Sequence, residues 1–445
     1  MCFDPKETDA LVNLKKRMLK DLYARWMYSW ETRLTMRDEN RVVRPLEWGF
    51  DWLQPYLDDI GLSGRVARLE AAGQSERAMV EVNEAILADS DRFFHYERPT
   101  DFRLEERHPM LFPTNVRPET LERDARLKQL AEEGKVERAR FLRFTSPERT
   151  PYAENDLANA RWFPADPKRQ AGKPKQAMIV MPQWNADAFS HNSLCSLFNR
   201  FGISALRLSK PYHDIRRPSE LERSDYAVSA NIGRTLSAVR QAVMDIRCCL
   251  DWLEEQGYEQ FGVLGTSLGS AYGFLASAHD RRLRVNAFNH ASAAVGDVVW
   301  AGQSTRHIRQ ALEEAGLTQE RVRALWAGAS PMHYYAKFAG YSAQDESSDR
   351  LSEWAKKVLL IYARYDLTFP YEYSMQVVKA FHENGIEFEE RVLPCGHYTT
   401  GETPFQYMDG WYMGSFVYRA FRDLAREGSS SASAPEFEER ELVAK

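Results

Sequence analysis

Residues 261–271 read FGVLGTSLGSA: an apolar, β-prone run enters the pattern Gly-x-Ser-x-Gly, from Gly265 to Gly269, and residues 271–278, AYGFLASA, continue as a helix. A serine on a sharp strand-to-helix turn needs neighbours without side chains, because the backbone is closely approached on both sides, and Gly265 and Gly269 meet that need. Ser267 would then project above the strand end as a nucleophile. The helix behind it brings its positive dipole end to developing negative charge, and the Leu268 backbone N–H is one donor of an oxyanion hole. An ordinary glycine-rich turn is the alternative; the strand before and the helix after favour the nucleophile.

A serine hydroxyl is a weak nucleophile until a base takes its proton, and the base needs a group to orient it. Behind a turn of this kind the acid follows in the chain, then the histidine. Residues 358–366, VLLIYARYD, form a buried strand with Asp366 just past its end, and residues 393–398, LPCGHY, follow the next strand, with Gly396 leaving room for His397 to reach the nucleophile. Acid and base would sit on neighbouring loops at the edge where an open parallel sheet collects ligands. Asp297, after the preceding strand, is the rival orienter, and a loop carboxylate or helix cap is the alternative for Asp366. Residues 210–218, KPYHDIRRP, would open onto the same edge. There Lys210, Arg216 and Arg217 would meet a substrate carboxylate or phosphate, although a solvated loop with local ion pairs is the commoner use of such a cluster.

The elements that must position these residues are legible too. The continuous apolar run 177–181 predicts a strand buried on both faces, and further strands are expected at 203–208, 261–264, 285–288 and 358–362. Runs at 136–144 and 157–163 suit edge strands, 388–393 is a further strand, and helices are expected at about 190–201 and 232–256. This alternation predicts an α/β domain with a mainly parallel sheet over residues 135–427. The interval 291–354 is too long for an ordinary connection and reads as a cap insertion, with an aromatic stretch at 325–335 that would pack on the sheet or line a pocket. Residues 1–134 carry helical periodicity at 8–30, 75–93 and 121–133 and read as a helical appendage without a chemical motif. In the first of these helices Leu11, Leu14, Met18, Leu22, Trp26 and Trp30 recur at spacings of three and four. That stripe should be covered, by the core or by a second copy in a homo-oligomer; its mixed charges suit a lipid surface less well. The tail 428–445 is polar, low in complexity and expected to be disordered.

The 59 Lys+Arg against 64 Asp+Glu leave a net charge of −5, which argues against a protein-wide nucleic-acid surface. Five scattered cysteines without a CxxC pair give neither a disulfide framework nor a structural zinc site. No apolar stretch approaches the roughly 20 residues of a membrane helix, and the N-terminal residues lack the apolar core of a secretory leader. A cytoplasmic protein without metal or cofactor is expected.

The Gly265–Gly269 elbow, the strand-borne Asp366 and the Gly396-His397 loop resemble the α/β-hydrolase superfamily over about residues 136–425, nearest to its dienelactone-hydrolase, acetyl-xylan-esterase and prolyl-oligopeptidase-like group. The resemblance implies a mostly parallel, eight-stranded sheet with helices on both faces and a cap between the sixth and seventh strands. Many members carry His-Gly after the third strand, whereas residues 181–185 read MPQWN here. By position the second oxyanion donor is then the Trp184 backbone N–H, with Gln183 next; Gln183 joins Arg216 and Arg217 as a candidate substrate contact. The implied activity is hydrolysis of a small-molecule carboxylic ester through a Ser267–His397–Asp366 triad and an acyl-enzyme, with no cofactor. A peptidase or amidase using the same triad is the nearest alternative. A non-catalytic scaffold is the other, because fold alone does not establish activity.

Overall fold

Nine strands form the sheet in the computed structural model, which describes residues 5–341 and 354–431. They are β1 (Arg103–Arg107), β2 (Ala139–Thr145), β3 (Leu157–Phe163), β4 (Gln176–Met181), β5 (Ile203–Ser209), β6 (Gln260–Thr266), β7 (Leu283–Asn289), β8 (Lys357–Ala363) and β9 (Glu389–Leu393), in the spatial order β1-β2-β3-β5-β4-β6-β7-β8-β9. Pairing is antiparallel from β1 through β3 to β5 and parallel from there to β9. The sheet is therefore mostly parallel, as expected, but has one strand more than eight.

The additional strand, β1, lies inside residues 1–134, a segment that reads from its sequence as helices with irregular connections and no strand. Its five residues, RLEER, hold four charges, and it pairs on one side only, with β2. A charged edge strand shows no apolar alternation to read, and its charges discourage further pairing at that edge.

The parallel strands β4 to β8 are buried on both faces, which is why their sequences are mainly apolar, whereas the edge strand β9 (EERVL) is charged and half-exposed. Met178, Val180, Leu264, Ala287 and Ile361 pack under helices 192–200 and 405–431, while Ile179, Val263, Phe288 and Leu360 pack under helices 232–255 and 268–278. The interval between β7 and β8 holds helices Val295–Ala301, Arg306–Glu314, Gln319–Leu325 and Tyr335–Gly340. It rests on the N-terminal helix Ser75–Ala88, where Asn83 Nδ2 donates to Leu325 O (2.9 Å) and Asn83 Oδ1 accepts from Gly328 N (2.8 Å). Trp326, Tyr334 and Tyr335 of the aromatic stretch are buried, and Tyr335 packs edge-on against Phe274. The final helix, Phe405–Ser431, continues into the start of the polar tail, whose residues 432–445 lie outside the described residues. Among the described residues no helix is long and apolar enough to cross a membrane.

The first helix, α1 (Pro5–Thr35), does bury one side, but not the apolar stripe. Of the stripe, Met18, Leu22 and Trp26 are exposed and only Trp30 is half-buried, against Phe405 (6.2 Å), whereas Met27 and Glu31 are fully buried. The buried line 23–27–31 is one residue, about 100°, round the helix from the line 18–22–26. Residues Leu11 and Leu14 of the stripe lie outside the side chains described.

Candidate active site

Ser267 stands between β6 and the helix Leu268–Ala278 with φ 56° and ψ −120°, a backbone conformation that costs a non-glycine residue energy and persists only where the surroundings enforce it. Enforcement is visible. The Ser267 N–H donates to Asn289 O at the end of β7 (2.8 Å). A Cβ on Gly265 would lie 2.2 Å from Gly269 O, and one on Gly269 would lie 2.1 Å from Met181 O, so neither position accepts a side chain.

His397, on the loop after β9, places Nε2 3.0 Å from Ser267 Oγ and Nδ1 2.8 Å from Asp366 Oδ2. Asp366 Oδ1 accepts from the Thr368 and Phe369 backbone N–H groups (2.7 and 2.6 Å), and the Phe369 ring stacks on the imidazole at 4.9 Å. Both ends of the imidazole are thus engaged and its plane is fixed. Asp297, the rival orienter, is held elsewhere, by Gln319 Nε2 (2.8 Å) and Arg323. Serine, aspartate and histidine, in that chain order, meet at the C-terminal edge of the parallel strands, with the serine on a strained strand-to-helix elbow. This is the arrangement that the α/β-hydrolase resemblance implies.

A second histidine reaches the same carboxylate. His290, just past β7 and fully enclosed, has Nδ1 3.2 Å from Asp366 Oδ2 and its ring 4.5 Å from that of His397. It went unremarked in the sequence, although NAFNH ends a parallel strand beside the nucleophile strand. Burial disfavours charge on Asp366, but His397, His290 and their hydrogen bonds outweigh it and hold the carboxyl well below the usual range. Burial opposes the imidazolium of His397 as well, and there the Asp366 carboxylate wins and raises its pKa. For His290 burial wins, helped by His397, and its pKa is lowered. The two rings are therefore pushed apart in protonation, with His397 the basic one. His290, Asp366 and His397 also offer ligand atoms within 4.8 Å of one another, the one such group among the described residues. A metal there would displace the proton that links His397 to Asp366.

Leu268 and Trp184, the expected oxyanion donors, follow β6 and β4, which pair directly in the sheet. Leu268 opens the elbow helix, where backbone N–H groups have no partner within the helix. Trp184, after β4, packs, as Leu268 does, against the buried cluster of Tyr212, Ala227 and Ala238, and is fixed by its Nε1 donating to Ser224 O (2.9 Å), by stacking on His307 (6.1 Å) and by the Arg223 guanidinium 5.6 Å over its ring. The basic loop after β5 supports this segment instead of facing a ligand. Buried Lys210 donates to Gln183 O (3.0 Å), and Asn185 N donates to His213 Nε2 (3.2 Å). Arg216 is fully buried and ion-paired with Asp245 (2.7 Å), out of reach of any substrate. Arg217 is half-buried among Asp214, Glu222 and Asp124. The Gln183 carbonyl is thus tethered by Lys210, while its side-chain Oε1 is buried without a partner. A cleft of about 550 Å³ opens nearby, lined by Asp38, Arg41, Arg306 and His307, the last being the ring that stacks on Trp184.

No protein-family model matches the chain, and no curated protein sequence does. Among solved structures it is similar to an acetyl xylan esterase from Paenibacillus sp. R4 (12% identity, 76% of this chain and 92% of that one, TM-score 0.48) and to acetyl xylan esterase 1 from Thermoanaerobacterium sp. (13%, 74% and 93%, 0.46). It is also similar to the Pyrococcus horikoshii acylaminoacyl peptidase (14%, 63% of this chain, 0.47), of which it spans 41%. Identities this low and TM-scores below 0.5 carry no information about substrate.

Proposed function

We propose that the protein is a serine hydrolase acting on a carboxylic ester. The observation that carries this reading is the unbroken hydrogen-bonded line from Ser267 Oγ through both imidazole nitrogens of His397 to Asp366, on a strained elbow. Ser267 Oγ attacks the ester carbonyl while His397 Nε2 takes its proton; the Leu268 and Trp184 N–H groups stabilise the oxyanion. The tetrahedral intermediate collapses to an acyl-enzyme as His397 returns the proton to the departing alcohol. Water then attacks the acyl carbon, with His397 again as base, and releases the acid. Asp366 keeps the imidazole in the productive tautomer.

A fluorophosphonate probe is expected to label the protein at Ser267, and Ser267→Ala is expected to lose that label with its thermal transition nearly unchanged. Equal turnover of p-nitrophenyl acetate by the two proteins would end the hydrolase reading. A panel of p-nitrophenyl esters beside aminoacyl-amides separates esterase from peptidase. The pH profile has a definite sign too. A protonated His397 cannot act as base and its pKa is raised, so kcat/KM should fall through an acid limb lying above pH 6.5. A limb at pH 5 would show that Asp366 does not support the imidazole.

A further inference from the structure

The buried side of α1 lies along the loops that carry Asp366 and His397. Tyr23, Met27 and Glu31 occupy successive turns of one helix face. The Tyr23 hydroxyl donates to Pro394 O, and its ring packs edge-on at 5.7 Å against Tyr365, the neighbour of Asp366. Met27 Sδ lies 3.5 Å from Thr399 Oγ1. Glu31 has no exposed surface. Its Oε1 accepts from Tyr398 N (2.7 Å), and its Oε2 accepts from Thr399 N (2.9 Å) and Thr399 Oγ1 (3.0 Å). Three donors from the two residues that follow His397 thus converge on one carboxylate. Such charge-assisted hydrogen bonds are roughly twice as strong as neutral ones.

Gly396 completes the fit. A Cβ there would lie 2.4 Å from Glu31 Oε2, so the glycine before His397 leaves room for this carboxylate. The sequence suggests that Gly396 frees His397 to move; the contact indicates that it admits a group that stops the loop from moving. We infer that Glu31 is a positioning residue for His397 and that α1 is thereby part of the active site, an inference that rests on the serine-hydrolase reading. Glu31 acts through the loop and touches no reacting atom.

Its charge also matters. His397 is faced by Asp366 from the loop after β8, by His290 from the end of β7 and by Glu31 from α1. From the C-terminal helix, Asp409 is buried and bonded to Asn289 Nδ2 (2.8 Å), and burial pushes its pKa up to about 7 against that bond. Burial likewise raises the pKa of Glu31, joined by repulsion from Asp366, while the Tyr398 and Thr399 N–H groups oppose the rise. A carboxylate at Glu31 favours the imidazolium, so its removal should lower the pKa of His397.

The test compares the full-length wild type with Glu31→Ala, the near-isosteric Glu31→Gln, and Gly396→Ala alone and combined with Glu31→Ala. Turnover of p-nitrophenyl acetate is followed across pH, and the His397 imidazole is titrated by NMR. A catalytic group displaced by about 1 Å costs on the order of 100-fold. Glu31→Ala should therefore lower kcat about 100-fold and Glu31→Gln about 10-fold, with KM within about 2-fold and the acid limb moved to lower pH. Gly396→Ala should impair wild type but add little to Glu31→Ala, because the clash it creates is with Glu31. A folded Glu31 variant with wild-type kcat and an unmoved imidazole titration would overturn the inference. Should Glu31→Ala not fold, Glu31→Gln and Gly396→Ala decide by the same readouts. If wild type and Ser267→Ala turn over equally, the hydrolase reading fails, and the imidazole titration alone then settles whether Glu31 acts on His397.

Discussion

Removing the Ser267 hydroxyl and the His397 imidazole together is expected to cost no more than removing either one. Each acts only through the other: without the imidazole the hydroxyl keeps its proton at neutral pH, and without the hydroxyl the imidazole has no nucleophile to activate. In a unit of this kind a single removal lowers kcat by on the order of 10⁴–10⁶, and a second removal adds almost nothing. The 3.0 Å bond between Oγ and Nε2 makes them such a unit. Asp366→Asn should cost about 10⁴, since an amide donor facing His397 Nδ1 enforces the wrong tautomer. The rate that survives would come from Leu268, Trp184 and the elbow helix. The measurement is steady-state turnover by Ser267→Ala, His397→Ala and the double variant. Multiplying losses would mean that the two side chains work independently, against a shared role.

The sequence exposes some parts of this site and hides others for physical reasons. Ser267 and Asp366 stand out because each follows a strand with a clear apolar run, so the strand end, and hence the loop beyond it, can be located to within a residue or two, whereas His397 follows the charged strand EERVL and is marked by its Gly-His loop. Asp366, for example, lies three residues past Ala363, the last residue of β8. Glu31 is invisible by the same logic. Periodicity sorts charged residues to the solvent side of a helix, and nothing local reveals that three donors 367 and 368 positions away will meet this carboxylate. The exposed Met18–Leu22–Trp26 line of α1 is the mirror of that error. The loop 210–217 misleads through charge, which in sequence looks the same whether it faces a ligand or a buried partner. Here Arg207 pairs with Asp214, Arg216 with Asp245, and Lys210 caps a backbone carbonyl.

That last reassignment predicts a large effect on stability where a substrate-binding role would predict one on affinity. Replacing Arg216 by methionine should destabilise the protein by about 3–5 kcal/mol, because it strands a buried carboxylate. Arg216 and Asp245 are both without solvent exposure; the guanidinium also donates to Ser209 O (3.0 Å) and Asn155 O (2.8 Å), and after its loss Asp245 keeps only the Ser146 hydroxyl (2.7 Å). Desolvation of two charges offsets most of the attraction in the intact pair, so the destabilisation comes from breaking the pair and not from lacking it. Adding Asp245→Leu to Arg216→Met should therefore recover much of the loss, which urea denaturation midpoints of the single and double variants would measure. The KM for p-nitrophenyl acetate should stay near the wild-type value in the folded fraction. A raised KM with an unchanged urea midpoint would instead place Arg216 against the substrate.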